Sequence, residues 1–198
     1  MDYQGAKTYM LKRLKNELPE IRTYHCFDHT IDVYSAVIGI AENEGVAEDD
    51  LKLLKLASIY HDCGFLIQGA DHEEVGCGIT RKKLQEFDYS NGSIDKVCGM
   101  IMATKIPQSP KTHLEMIICD ADLDYLGRGD FFQIGDTLFE ELKSGGVVDS
   151  FDQWNELQVK FLEAHSYWTK TCQKMRDEKK AENLEKVKGL LKNKKAPS

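Results

Sequence analysis

The chain has 198 residues, 41% of them hydrophobic and 30% charged, with a formal net charge of −7. A chain of this length buries roughly 70% of its unfolded surface in one domain, and this composition excludes wholesale disorder. The acidic balance argues against a protein built to hold nucleic acid, and no run of about 18 apolar residues is present to span a membrane. The opening Met1-Asp2-Tyr3-Gln4-Gly5 lacks the basic-then-apolar pattern of a secretory signal, so a cytoplasmic address is expected. Six cysteines (Cys26, Cys63, Cys77, Cys98, Cys119 and Cys172) lie among apolar neighbours with no Cys-x-x-Cys pair. They are expected to be reduced core fillers.

In chain order the apolar spacing predicts helix after helix. Tyr3, Ala6, Met10, Leu11 and Leu14 mark residues 3–17. Ile31, Val33, Ala36, Val37, Ile40 and Ala41 mark 29–44, with Asp28 as the expected N-cap. Leu51, Leu54, Leu56, Ala57 and Ile59 mark 48–62, followed by Gly64 as a plausible C-terminal cap. Asp71-His72-Glu73-Glu74 looks like a capping box opening a helix to about Phe87. Asn91-Gly92-Ser93 is a turn, with Ser93 a cap for a helix to about Thr104, and Pro107 and Pro110 bound a loop. Residues 112–126, 130–143 and 151–164 read as further helices. From Trp168 to Ser198, ten Lys/Arg face four Asp/Glu, a local +6, so residues 1–167 carry −13. This tail reads as a helix packing Met175, Leu184, Val187, Leu190 and Leu191 on the body, with lysines outward and a frayed end. No hairpin signal occurs. The expectation is an all-α protein: a helical body over 1–167 and a basic C-terminal helix over 168–198.

Three stretches carry chemistry. His61-Asp62 ends an apolar helix, where a polar pair points either at solvent or into a lined cavity. His25 and His29 stand four apart at the start of another helix. In Cys119-Asp120-Ala121-Asp122-Leu123-Asp124 three carboxylates interrupt an apolar run, so at least one is expected to be buried, which is costly unless it is paired or binds a metal. Imidazole nitrogen with carboxylate oxygen suits a divalent ion such as Fe, Mn, Co, Ni or Zn. An ion of that kind activates water and polarises a phosphoryl oxygen.

The order His29, His61-Asp62, then Asp120 or Asp122 resembles the HD-domain metal-dependent phosphohydrolases, defined by His…His-Asp…Asp on a bundle of about five helices. The resemblance covers roughly residues 20–130. It implies a compact bundle of that type with an extra C-terminal helix. It also implies one divalent metal ion (Fe, Mn, Co, Ni, Zn or Mg) held by His29, His61, Asp62 and Asp122, with Asp120 as the alternate fourth ligand. His72 falls where some members place a residue near the substrate, and His25 is expected on the substrate side or in a structural role. A phosphate also needs cations, for which Lys105 and Arg128 are candidates. The implied reaction is hydrolysis of a phosphate ester, as mono- or diesterase, the small substrate being a nucleotide. Asp62 would manage the water proton. Two other readings stay open: a non-catalytic metal-holding signalling or assembly module, and a partner- or nucleic-acid-binding protein acting through the basic tail. A homo-oligomer is compatible with this pattern.

Overall fold

A computed structural model describes residues 1–193, and nine α-helices and two short 3-10 helices account for the regular structure of these residues, with no strand among them. None of these helices is long and apolar enough to cross a membrane. The helices fall into two compact units, Met1–Asp122 and a second that begins at Leu123. The packing boundary thus lies well before the charge shift at Trp168.

The first unit holds α1 (Tyr3–Glu17), α2 (Phe27–Asn43), α3 (Glu48–Tyr60), α4 (His72–Glu86), α5 (Asn91–Thr104) and α6 (His113–Asp122), with a 3-10 helix at Cys63–Leu66. α1 starts where the Asp2 carboxylate accepts the Gly5 backbone N–H at 2.8 Å. Its apolar face (Ala6, Met10, Leu14) is buried, as the spacing predicts. α3 is the central element: Leu53, Leu54, Leu56, Ala57, Ile59 and Tyr60 are all buried, and the helix packs on α1, α2, α5 and α6. The Tyr60 hydroxyl donates to the Ala6 carbonyl at 2.9 Å, which satisfies a buried polar group and fixes α1 on α3. Ile94, Val97, Ile101, Ile117 and Ile118 complete this core from α5 and α6.

Two predicted helix starts move, and a third lacks its predicted cap bond. The N-cap of α2 is Cys26, so Asp28 lies inside the first turn, where a carboxylate suits the positive end of the helix dipole. α5 is capped by Ser90, whose hydroxyl accepts from the Ser93 backbone N–H at 3.2 Å, so Ser93 receives the cap rather than supplying it. Asp71 does precede α4, but it is left-handed (φ 50°) and makes no cap bond. Its carboxylate and that of Glu74 bind Lys105 at 2.8 and 2.6 Å instead of closing a capping box.

Gly64 is also not a helix cap, since His61 caps α3 after Tyr60 and Gly64 lies in the following 3-10 helix. Its role is close approach. A Cβ there would meet the His72 carbonyl oxygen at 1.9 Å and its carbon at 2.7 Å, both backbone atoms that cannot swing aside. Gly64→Ala is therefore expected to cost about 3 kcal/mol or more in denaturant unfolding. Gly39→Ala, where nothing lies within 4 Å, should be neutral or stabilising. Equal behaviour of the two variants would refute the close-approach argument.

The second unit contains a 3-10 helix at Asp124–Gly127, α7 (Phe131–Ser144), α8 (Phe151–Ala164) and α9 (Lys170–Asn193). Phe139, Val148 and Trp154 form an apolar cluster with Leu138 and Leu142. α9 packs on α8 and on the 3-10 helix. Its buried residues include Cys172, Asn183 and Val187, whereas Met175 and Leu190, expected in the apolar stripe, are exposed. Residues 194–198, the predicted frayed end, lie outside the described residues.

The C-cap of α8 is His165, whose Nδ1 takes a hydrogen bond from the Lys180 ammonium at 3.3 Å while Lys180 also binds the His165 carbonyl. Burial, then the Lys180 charge, lower the His165 pKa from 6.5 to about 4. The unfolded chain takes up this proton near pH 6.5 and the folded chain does not, so the stabilisation is complete above that pH and fades as pH falls toward 4. Lowering pH from 7.5 to 5 should cost the folded protein about 2 kcal/mol through this residue. Urea unfolding of His165→Gln at both pH values should show that loss removed, and an unchanged pH dependence would disprove the assignment.

Candidate metal centre

Three helix ends of the first unit converge. His29 is in the first turn of α2, His61 caps the C-terminus of α3 with Asp62 next to it, and Asp122 is the last residue of α6. Two of these ends are C-termini, whose negative dipole ends favour a cation. The His29 Nε2 lies 3.4 Å from His61 Nε2, 3.5 Å from Asp62 Oδ2 and 3.3 Å from Asp122 Oδ1. His61 Nε2 lies 3.2 Å from Asp62 Oδ2 and 3.4 Å from Asp122 Oδ1. The four side chains are between 1% and 15% exposed.

These atoms face one another without serving one another. Asp62 Oδ2 is buried and has no aligned hydrogen-bond partner, despite two imidazole nitrogens within 3.5 Å. His61 Nδ1 binds the Ser58 carbonyl at 2.8 Å, which places the Nδ1–H there and turns the Nε2 lone pair toward the cluster. Donors on a sphere of about 2.1 Å radius stand about 3.0 to 3.4 Å apart in octahedral or tetrahedral array, close to the five distances above. The donor set and its spacing therefore fit a divalent transition ion, with His29, His61, Asp62 and Asp122 as the residues that would hold it. The donor atoms of His29, His61 and Asp122 all lie within 4.8 Å of one another.

The electrostatics agree with the donor geometry. Burial alone would raise the Asp122 pKa, but hydrogen bonding from His29 and His61 brings it down to about 2. Burial acts likewise on Asp62, and the His61 charge overrides it, holding the carboxyl well below its usual range. Burial opposes protonation of His61, yet the charges of Asp62 and Asp122 lift its pKa well above the ordinary value. The two carboxylates thus draw positive charge onto the His61 imidazole, the place a divalent ion would take.

The other expected residues are distributed as follows. His72, at the start of α4, has Nε2 3.4 Å from both Asp62 Oδ1 and Glu73 Oε1, and Nδ1 3.3 Å from the Gly69 carbonyl. Burial opposes its charged form, but the Asp62 and Glu73 carboxylates prevail and its pKa is raised. Asp62 thus faces His29 and His61 through one oxygen and His72 through the other. His25 packs edge-on to Tyr24 at 4.8 Å and against Phe65 at 4.4 Å. Asp120 is fully buried in α6, and Asp122 is the carboxylate of that stretch that faces His29 and His61. Lys105, the C-cap of α5, is paired with Asp71 and Glu74 on either side of His72 and Glu73. Arg128 belongs to the second unit, where it binds Asp130 at 2.8 Å and Asp124 at 3.5 Å. His113 opens α6 and pairs with Glu44 at 2.9 Å.

Sequence reasoning missed two contributors, Phe65 and the Ser58 carbonyl, and left Glu73 and Glu74 as alternatives beside His72. Phe65 stacks on His72 at 3.9 Å and carries the Arg22 guanidinium 4.5 Å from its ring centroid. Glu73 is buried while its neighbour Glu74 is exposed, a difference set by which face of α4 turns inward. The Ser58 carbonyl orients His61, a backbone role that no residue type announces.

A family model described as HD domain matches residues 26–124. The crystal structure of a predicted HD superfamily hydrolase from an uncultured Thermotogales bacterium is similar at a TM-score of 0.63 and 18% identity, covering 96% of this chain and 91% of that one. Comparison with curated proteins gives no significant match.

Proposed function

This chain belongs to the HD-domain family, and from that premise we propose that it is a metal-dependent phosphohydrolase acting on a small phosphate ester, a nucleotide in our reading. The observation that carries the proposal is the convergence of His29, His61, Asp62 and Asp122 with Asp62 Oδ2 left without a partner. A divalent cation bound there supplies a Lewis acid for a phosphoryl oxygen and lowers the pKa of a water molecule. Asp62 and Asp122 stay ionised under the influence of His61 and His29 and so hold the charge that draws the cation in. Asp62 and Glu73 flank the His72 Nε2 and raise its pKa, favouring the form that carries a proton there. That proton is placed to pass to a leaving alkoxide, and the imidazolium offsets phosphate charge. The Gly69 carbonyl and the Phe65 ring fix the His72 orientation. Lys105 holds the start of α4 through Asp71 and Glu74, and would meet a phosphate only by leaving them.

The test is a substrate panel (an aryl phosphate, nucleoside mono- and triphosphates, cyclic nucleotides) run with Mn, Co, Ni, Fe, Zn and Mg in turn. Turnover with at least one metal, absent in His61→Ala, is expected. An occupied site with no turnover on any substrate would instead favour a non-catalytic metal-holding module.

A further inference from the structure

Among the buried nucleophiles that the proposed reaction leaves unused, two form a pair. Cys77 on α4 and Cys98 on α5 are buried at the interface of these two helices, which pack more extensively on each other than any other pair in the first unit. Cys77 Sγ lies 3.5 Å from the Cys98 carbonyl oxygen, and Cys98 Sγ lies 3.7 Å from the Cys77 carbonyl oxygen. Each thiol therefore reaches across to the other residue's backbone, so the two side chains run toward each other. Bridging two cysteines without moving the backbone requires such convergence.

We propose that Cys77 and Cys98 are a redox-modification site, closing to a reversible disulfide when the protein meets a hydroperoxide. The Cys98 sulfur attacks the peroxide: an S–O bond forms, the O–O bond breaks, and the alcohol (water, for hydrogen peroxide) leaves with the thiol proton. Cys77 Sγ then attacks the resulting sulfenic sulfur. The S–S bond forms and the hydroxyl departs as water with the Cys77 proton. Two thiols are oxidised and one peroxide is reduced. Cys98 is taken as the first nucleophile because the neighbouring Cys77 thiol lowers its pKa against the effect of burial. The bridge ties α4, which carries His72 and Glu73, to α5, whose C-cap is Lys105. Cys63 is an alternative partner, since its Sγ lies 3.6 Å from the carbonyl oxygen of Gly76, next to Cys77.

The experiment treats the folded full-length protein with hydrogen peroxide, blocks remaining thiols, and digests at glutamate without reduction. Cleavage after Glu74 separates Cys63 from Cys77. The expected result is loss of two of six thiols, recovery of all six with dithiothreitol, and a single Cys77–Cys98 linked peptide. Cys77→Ser should leave Cys98 as a sulfenic acid that dimedone captures, and Cys98→Ser should leave Cys77 unmodified. Six retained thiols, a link through Cys63, or a Cys77–Cys98 link that forms only in urea would each overturn the proposal. The wild-type map decides the matter even if a variant fails to fold.

Discussion

His61→Ala and Asp62→Ala proteins are expected to purify with little or no bound divalent metal and to lose more than about 10³-fold in turnover, the scale set by several kcal/mol of metal stabilisation. Either substitution removes one of four donors and breaks the set of distances between 3.2 and 3.5 Å that suits one ion. Elemental analysis after dialysis against each metal reads the first effect without any substrate. Asp62→Asn is the sharper variant: it keeps the shape but removes the ionised carboxylate from between His61 and His72. Metal content equal to wild type in both Asp62 variants would exclude Asp62 as a ligand. A variant of His25, whose ring lies against Tyr24 and Phe65, should retain metal.

Arg176→Ala is expected to destabilise the second unit by about 3–5 kcal/mol, the cost of leaving a buried charge without its partner. Asp124 is 5% exposed in its side chain, and Arg176 grips both of its oxygens, Nε at 2.7 Å and Nη2 at 3.0 Å. Arg128 reaches the same carboxylate at 3.5 Å and is itself bound to Asp130, whereas the two-point fork comes from Arg176. The surrounding contacts amplify the loss. Gly127 sits against the Arg176 backbone, Asn183 donates to the Leu126 and Arg128 carbonyls at 3.0 Å, and the Tyr167 hydroxyl donates to the Leu123 carbonyl at 3.2 Å. Denaturant unfolding should show that Asp124→Ala combined with Arg176→Ala recovers much of the single-variant loss, since no charge is then stranded. Strictly additive losses would mean that the pair is not energetically coupled.

The run Asp120-Ala121-Asp122-Leu123-Asp124 shows how far one dimension reaches. Alternation within an apolar stretch says that carboxylates are buried there, and all three are buried or nearly so. It does not say which one faces His29 and His61. That depends on α6 ending at Asp122: the chain then turns into the 3-10 helix, and Asp124 goes to Arg176, 52 positions away in sequence. The same limit applies to His72 and Lys105. Their proximity in space is plain, but Asp71 and Glu74 spend their charge on Lys105 because Asp71 adopts a left-handed conformation instead of capping α4.

By itself, then, the sequence determined the helical class and the order of the helices, because apolar spacing follows the 3.6-residue repeat and is a local property. It also determined the residue types from which a metal centre is built, because few side chains offer nitrogen and carboxylate donors. Tertiary structure alone decided the division at Asp122, the identity of the inward-facing carboxylate, the Phe65 stack behind His72 and the meeting of Cys77 with Cys98. Each of these is a contact between elements distant in the chain. Such contacts follow from how helix surfaces pack in three dimensions, which no spacing within one helix encodes.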